Sequence, residues 1–485
     1  MGTEKRKKKD LRRENKADLK IEDAEVAIES HRSSILWHSL VCLGIFVAVY
    51  VKCTSASIPS GDAGDFIMSA YHFGVAHPPG YPLYVTIGYI WMRILPFGTP
   101  AFKLNLLTSI IGGVAAFVVY ITTFRLTRFV PSAILASSVF AFSHLTWFHS
   151  IGAEIFALNN LFCGLLIFWV VKFQRAAVTS RAKIAVEASF ISGLSMCNQH
   201  TSILFIAVIG MWMFVTLLRD KAITGRQFVQ TGVAFLFGML PYLQLPLSAY
   251  FSNSPITWGN HTTLKAILVH ITRGDYGSMR LSATDRPANF LVNFRLLASD
   301  MIQELGMLTA VLCVFCLVTA RNFPSIKTEV NVYVSALSLY ILFFCKQANI
   351  DTSSPLLVGV LERFWMQSNI VVSVLSGCGL WTLYSTILTK YPAFKSGLYA
   401  IFSIGALLVA LRQVSNNFSS CDMSDNKIVE NYGRAILDGL PPNSILLLSG
   451  DVATYSTRYL RYCEEYRDDV DVVDMELLSF SWFKD

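Results

Sequence analysis

Ser60-Gly-Asp-Ala-Gly-Asp65, followed at a short distance by Ala76-His-Pro-Pro-Gly-Tyr-Pro82, is the stretch on which the reading of this chain turns. It lies between the first long apolar run and the next, and it is the densest group of reactive and backbone-shaping residues in an otherwise apolar sequence. Asp62 and Asp65 are three positions apart, a spacing that puts both on one face if a helix starts there. Gly61 and Gly64 permit a tight turn or a close approach. His77 is followed by two prolines, each of which removes a backbone donor and restricts the residue before it. The stretch therefore predicts a short polar helix, a rigid break, and an amphipathic segment from Tyr81 to Leu95 lying along a membrane surface. A capped turn with solvated carboxylates is the plainer reading. Its position straight after an apolar run favours a functional one, because acids at a membrane boundary are costly to keep.

Outward from that stretch, the composition is that of a membrane protein. The 485 residues are 53 % hydrophobic and 15 % charged, against about 25 % charged in soluble domains. Eleven apolar segments approach span length: 35–51, 105–124, 131–149, 155–174, 184–198, 201–218, 229–249, 306–320, 331–345, 368–389 and 396–411. The fold class is an α-helical polytopic membrane protein. Residues 1–34 read as a basic cytosolic tail, 35–412 as the membrane domain with a catalytic loop at 52–104, and 413–485 as a lumenal C-terminal region. The net charge of +7 owes much to the tail, so it is no sign of nucleic-acid binding. The first apolar run lacks a small-residue cleavage site and is expected to remain as an anchor.

Basic residues set the orientation. With the tail in the cytosol, Arg125, Arg128, Lys172, Arg175, Arg181, Lys183, Arg219, Lys221, Arg226, Arg321, Lys327, Lys390 and Lys395 fall on cytosolic connections. The short opposite loops at 149–155 and 198–201 carry no Lys or Arg. The N-glycosylation patterns Asn260-His-Thr262 and Asn417-Phe-Ser419 both fall on the lumenal side. Loop 52–104, Glu154, Asn198-Gln-His200, the long loop 250–305, loop 346–367 and the C-terminus share that face. In the C-terminal region, Ile445 to Asp451, Thr454 to Tyr466 and Val470 to Met475 read as strand, helix and strand. No glycine-rich phosphate fingerprint accompanies them. Among ten cysteines, Cys42, Cys163, Cys313, Cys316 and Cys378 sit in apolar runs; a Cys421–Cys463 disulfide is one option.

The chemistry-bearing residues are all on that lumenal face. Asp62 is the candidate general base, since partial desolvation beside the membrane raises basicity. Asp65 either orients Asp62 or the acceptor, or serves as a helix N-terminal acid. Glu154 is either a helix-start acid or a second acid of the site. His77, fixed by its prolines, is a phosphate donor or a turn histidine. Arg363 suits phosphate oxygens, with an ion pair to Glu362 as the alternative. His200 is a further donor-site candidate or the polar cap of a hairpin. Trp258 and Trp365 read as interface anchors. The clustered ligands of a metal site are missing, and neither a nucleophile triad nor a P-loop is present.

Several strings resemble one family: Gly61-Asp-Ala-Gly-Asp65, Gly74-Val-Ala-His-Pro-Pro-Gly-Tyr-Pro-Leu83, Ala153-Glu-Ile-Phe-Ala-Leu-Asn-Asn160, Cys197-Asn-Gln-His-Thr201 and Glu362-Arg-Phe-Trp-Met-Gln-Ser-Asn369. Together with one span, an acidic lumenal loop and alternating spans, they resemble the transmembrane protein 260 type of protein O-mannosyltransferase, within the GT-C superfamily. The resemblance runs from about residue 36 to the C-terminus. It implies a GT-C-like fold in the endoplasmic reticulum membrane and an inverting transfer of mannose from dolichyl phosphate mannose. The implied acceptors are Ser or Thr hydroxyls of folded receptor ectodomains, including plexin-type immunoglobulin-like modules. It also implies Asp62 as the base and no metal or other cofactor. The family's second acid in this motif can be Glu, where this chain has Asp65. The competing readings are a lipid-linked glycosyltransferase acting on glycolipid, and a non-enzymatic transporter or scramblase. A transporter would place its acids near the midplane and show related halves; here the acids sit at span ends.

Overall fold

The computed structural model describes residues 37–252, 254–255, 257–274 and 289–484. The basic tail lies outside them, as does part of the 250–305 loop. The described residues fall into two units, one ending at Ile45 and the other starting at Phe46.

Nine of the eleven apolar segments lie on one helix each and two, 131–149 and 229–249, are each divided between two, among the eighteen α-helices that the described residues form up to Cys421. In chain order these are α1 (Trp37–Lys52), α2 (Ala63–His72), α3 (Pro82–Ile94), α4 (Pro100–Thr127), α5 (Val130–Ala141), α6 (His144–Phe148), α7 (Phe156–Gln174), α8 (Val178–Met196), α9 (Ile203–Arg219), α10 (Gly225–Gly238), α11 (Gln244–Phe251), α12 (Leu264–Ile271), α13 (Phe290–Leu305), α14 (Met307–Thr319), α15 (Pro324–Gln347), α16 (Pro355–Glu362), α17 (Met366–Lys390) and α18 (Lys395–Cys421). By length and composition six of the described helices can cross a membrane, or eight if each of two bent pairs is one span. One bend, of 40°, falls just before Pro241; the other, of 110°, falls at Gly306. Two expected loops are partly helical: α12 and α13 lie inside 250–305, and α16 inside 346–367.

The opening stretch folds as a short helix and a turn, but α2 is far from a polar surface helix. Ala63 through Ala70 are all buried. The chain then leaves α2 through Phe73 in the left-handed region and turns at His77-Pro-Pro-Gly80, where the Gly80 amide donates to the His77 carbonyl at 2.8 Å. Pro82 opens α3, its missing N–H being one the first turn would leave unpaired anyway.

Asn105, fully buried on α4, fixes the loops around this region. Its Nδ2 donates to the Ser55 and Ser57 carbonyls at 2.9 Å each, and its Oδ1 accepts from the Ala153 amide at 2.8 Å. One side chain thereby ties the segment leading into Asp62 to the segment carrying Glu154. Each backbone group it serves would cost about 1–3 kcal/mol if left buried and unpaired.

Beyond α18 come α19 (Ile428–Asp438), β1 (Ile445–Leu448), α20 (Asp451–Cys463) and β2 (Asp471–Asp474). The strands pair in parallel, Ile445 with Asp471 through Leu448 with Asp474. This unit does not stand apart. Tyr455, Tyr459, Leu460, Val470 and Val472 share one hydrophobic core with Phe66, Ile67, Tyr84, Leu104 and Phe156. Gly64 makes that possible: a Cβ there would meet the Tyr455 Cβ at 2.7 Å and its carbonyl oxygen at 2.9 Å. The second glycine of the opening motif is thus where α20 packs onto α2. Cys421 and Cys463 are both buried and free, so the disulfide option is not realised.

Candidate active site

Asp62 occupies the N-cap of α2, yet its side chain makes no capping bond. The carboxylate is instead 3.5 Å from Nη1 of Arg363, with 30 % of the side chain exposed. Gly61 precedes it with φ +78°, a conformation that favours glycine, and packs close to the Glu154 carboxylate.

Asp65 takes a different course. It is buried, and one of its oxygens accepts both the His77 amide, at 2.9 Å, and His77 Nδ1, at 2.7 Å. Burial opposes the charge on His77, but the hydrogen bond to Asp65 and the nearby Asp62 outweigh it and raise the imidazole above its ordinary value. With Nδ1 held by Asp65, Nε2 is the nitrogen left to donate. The ring is fenced by Phe66, Tyr81 and Trp258 at centroid distances of 5.4, 5.2 and 6.3 Å.

Arg363 follows α16 and reaches both Asp62 and Glu154, the latter at 3.4 Å. Its partners are therefore not Glu362. Burial lowers the guanidinium's affinity for its proton, but Glu154 and Asp62 more than restore it. Glu154 is 6 % exposed. Burial pushes its carboxyl up to about 7, Arg363 pulls it back, and Asp62 adds to the rise. Its Oε2 is buried with no hydrogen-bond partner among the described residues.

These groups meet at a cavity of about 570 Å³. Asp62, His77, Arg363 and His200 line it; Asp65 and Glu154 do not. The three acids thus divide: one faces the cavity, and two stand behind Arg363 and His77. This differs from a pair of carboxylates sharing a helix face. Asp62 precedes the first helical residue, so the three-residue spacing does not align it with Asp65. His200 Nε2 is 2.6 Å from the Tyr242 hydroxyl, with Gln199 and Thr201 beside it on the wall. Trp258 lines the cavity, and Trp365 is buried at 2 % exposure, so neither is an exposed interface anchor. Among the described residues, no three His, Cys, Asp or Glu side chains group as a metal site would require.

The opposite wall belongs to the C-terminal unit. Asp451, Thr454 and Tyr455 of α20, with Asp474, Glu476 and Phe480, complete the lining. Locally the sequence marks these residues only as an amphipathic helix and a strand end. Arg273 also lines the cavity.

The glycosylation candidates differ. Asn260 is exposed, and its Oδ1 accepts from the Thr262 hydroxyl at 2.8 Å. Asn417 sits inside α18 with its amide nitrogen donated to the Phe142 carbonyl at 2.7 Å. The Asn260 side chain is thus exposed, while the Asn417 amide is engaged within a helix.

The family profile described as "Protein O-mannosyl-transferase TMEM260 N-terminal domain" matches residues 62–223, beginning at Asp62, and that of "TMEM260-associated domain 2" matches 429–485. Protein O-mannosyl-transferase TMEM260 of Mus musculus is 40 % identical over 93 % of the chain, and the Dictyostelium discoideum protein of the same name is 29 % identical over 98 %. The chain spans 64 % and 62 % of the length of these two relatives. Among solved structures, ArnT from Cupriavidus metallidurans, crystallised with undecaprenyl phosphate, aligns over 92 % of this chain and 90 % of its own, with a TM-score of 0.55 and 12 % identity. That likeness is one of fold.

Proposed function

We propose that this chain, which carries the TMEM260 N-terminal domain and TMEM260-associated domain 2, is a protein O-mannosyltransferase of the endoplasmic reticulum membrane. It takes mannose from dolichyl phosphate mannose and gives it to Ser or Thr hydroxyls of folded receptor ectodomains, plexin-type immunoglobulin-like modules among them. The observation that carries this reading is the division of the acids: Asp62 lines the cavity together with Arg363 and His77, each of which is backed by a buried carboxylate.

The chemistry follows from that arrangement. A sugar phosphate entering the cavity sets its anionic oxygens against Arg363 and the Nε2–H of His77. Asp62 accepts the proton of the acceptor hydroxyl as its oxygen bonds to the anomeric carbon. The bond from that carbon to the phosphate oxygen breaks, and the electron pair leaves with dolichyl phosphate, stabilised by the same two cations. One displacement inverts the β-linked donor to an α-mannoside. Glu154 keeps Arg363 charged and placed, Asp65 does the same for His77, and neither reaches the reacting atoms. No step calls on a metal.

A single cavity lined from loop 52–104, from the segments at 155, 199–201 and 363, and from 450–480 supports putting all of them on one side of the bilayer. An even number of crossings then separates the first loop from the C-terminal unit. This agrees with a cytosolic N-terminus and a lumenal C-terminus.

The test is transfer itself. Purified protein is incubated with labelled dolichyl phosphate mannose and, separately, a folded plexin-type domain, an unfolded peptide of the same sequence, and a glycolipid. Label on the folded domain, released as α-mannose, is the expected result. Label on the glycolipid alone moves the activity to the lipid-linked class, and label on none of them overturns the reading.

A further inference from the structure

We propose that the first turn of α20 is the subsite for the hydroxyls of the transferred sugar. The inference rests on the donor reading above and adds to it the part of the molecule that recognises the glycosyl group.

Three observations converge on this turn. First, α20 presents Asp451, Thr454 and Tyr455 to the same cavity that holds Asp62, His77 and Arg363. Second, Thr454 is 2 % exposed and its Oγ1 has no hydrogen-bond partner among the described residues. A buried hydroxyl left unpaired costs about 1–3 kcal/mol, so a group kept in that condition on a cavity wall is matched to something that enters. Third, Asp451, exposed at the first residue of α20, forms neither a hydrogen bond nor an ion pair with the described residues, so its carboxylate is open to a ligand. The other acids on this wall are engaged. Asp474 pairs with the buried Arg458 at 3.3 Å, and Glu476 accepts from the Gly450 amide and the Ser449 hydroxyl at 3.1 Å each. Those contacts fix the wall and leave Asp451 and Thr454 for a ligand.

The chemistry of the unpaired groups names its class. The cavity is lined by basic groups, Arg363, Arg273 and His77, and by acids that include Asp62 and Asp451. A lone anion fits the first and is repelled by the second. A neutral polyol joined to a phosphate satisfies both, its vicinal hydroxyls donating to the Asp451 carboxylate and exchanging a hydrogen bond with Thr454. Tyr455 packs against Gly64 of α2 and so holds α20 beside the Asp62 motif. The C-terminal unit is in this view part of the donor site.

The experiment separates sugar from phosphate. Binding of dolichyl phosphate mannose and of dolichyl phosphate is measured for full-length wild type, Asp451→Asn and Thr454→Val. The expected result is a loss of about tenfold in affinity for the mannosylated lipid in each variant. Affinity for dolichyl phosphate should stay within about twofold, which also shows that the variant is folded at the site. Equal losses for both lipids would make α20 a mere support of the cavity, and unchanged affinity for both would remove it from sugar recognition; either overturns the proposal. Wild type that binds neither lipid would instead overturn the donor reading on which it stands.

Discussion

On the membrane-domain wall of the cavity, Arg363 and His77 each have a buried carboxylate behind them. On the C-terminal wall, the buried Thr454 hydroxyl has no hydrogen-bond partner among the described residues, and Asp451 is exposed. The first wall holds its charges at fixed positions before any ligand arrives, which is what stabilising a leaving phosphate requires. The second keeps one buried hydroxyl unpaired beside an open carboxylate, which suits a ligand that brings its own donors. Placing and recognising are thus assigned to separate parts of the chain. They meet only because Gly64 lets α20 lie against α2.

The sharpest way to break that contrast is to remove the one acid of the membrane-domain wall that has no supporting task. Asp62→Asn keeps shape and loses basicity. Initial rates of mannosyl transfer should fall by about 10²–10⁴-fold, while affinity for dolichyl phosphate mannose changes little. Protein of equal abundance and equal melting temperature is needed for the comparison. Wild-type rates in this variant would transfer the base to another group.

A smaller effect is expected one step back from the cavity. Asp65→Asn leaves His77 in place but removes its charged partner. The rate should fall about tenfold to a hundredfold, the scale of a hydrogen bond to a charged group. The pH profile supplies the specific signature. His77 has a raised pKa in the fold, so its cationic form, and the activity that needs it, is present at low pH and lost as pH rises through that value. In Asp65→Asn the loss should begin at lower pH. A uniform fall at every pH would mean that Asp65 merely supports the turn.

Much of this site is legible in the sequence, and the limits have physical causes. Gly61-Asp-Ala-Gly-Asp65 marks a helix start, His77-Pro-Pro a break, and the alternation at 445–475 a strand, helix and strand; all are set by neighbours in the chain. Residue spacing cannot separate Asp62 from Asp65, because that depends on which of them is the cap. Nor can it find the partners of Arg363, which lie 301 and 209 positions away, when Glu362 stands beside it. The exposure of Trp258 and Trp365 is likewise decided by what folds over them. Asp451 and Thr454 carry no local mark at all, since a first-turn acid and a threonine suit any helix.

The smallest effect tests whether Glu154 acts through Arg363 or on the substrate. Its carboxyl is held near 7 in the fold, chiefly by burial and next by Asp62, with Arg363 opposing. In the unfolded chain it would titrate near 4.5. Between those values the folded state keeps a proton that the unfolded state has released, so stability falls as pH rises through that window. The loss is on the order of 3 kcal/mol once pH exceeds the folded value. Glu154→Gln mimics the protonated state. Near pH 6, then, the variant should transfer mannose almost as well as wild type. Near pH 8 wild type has an ionised Glu154 gripping Arg363, and the variant should be slower by about threefold, the scale of one partly screened charge contact. The melting temperature of the variant relative to wild type should move the other way, rising from pH 5 to pH 8. A large loss of activity at pH 6, where Glu154 is already neutral, would mean that the carboxylic acid itself handles a proton in the reaction, and the division between one working acid and two supporting ones would fall.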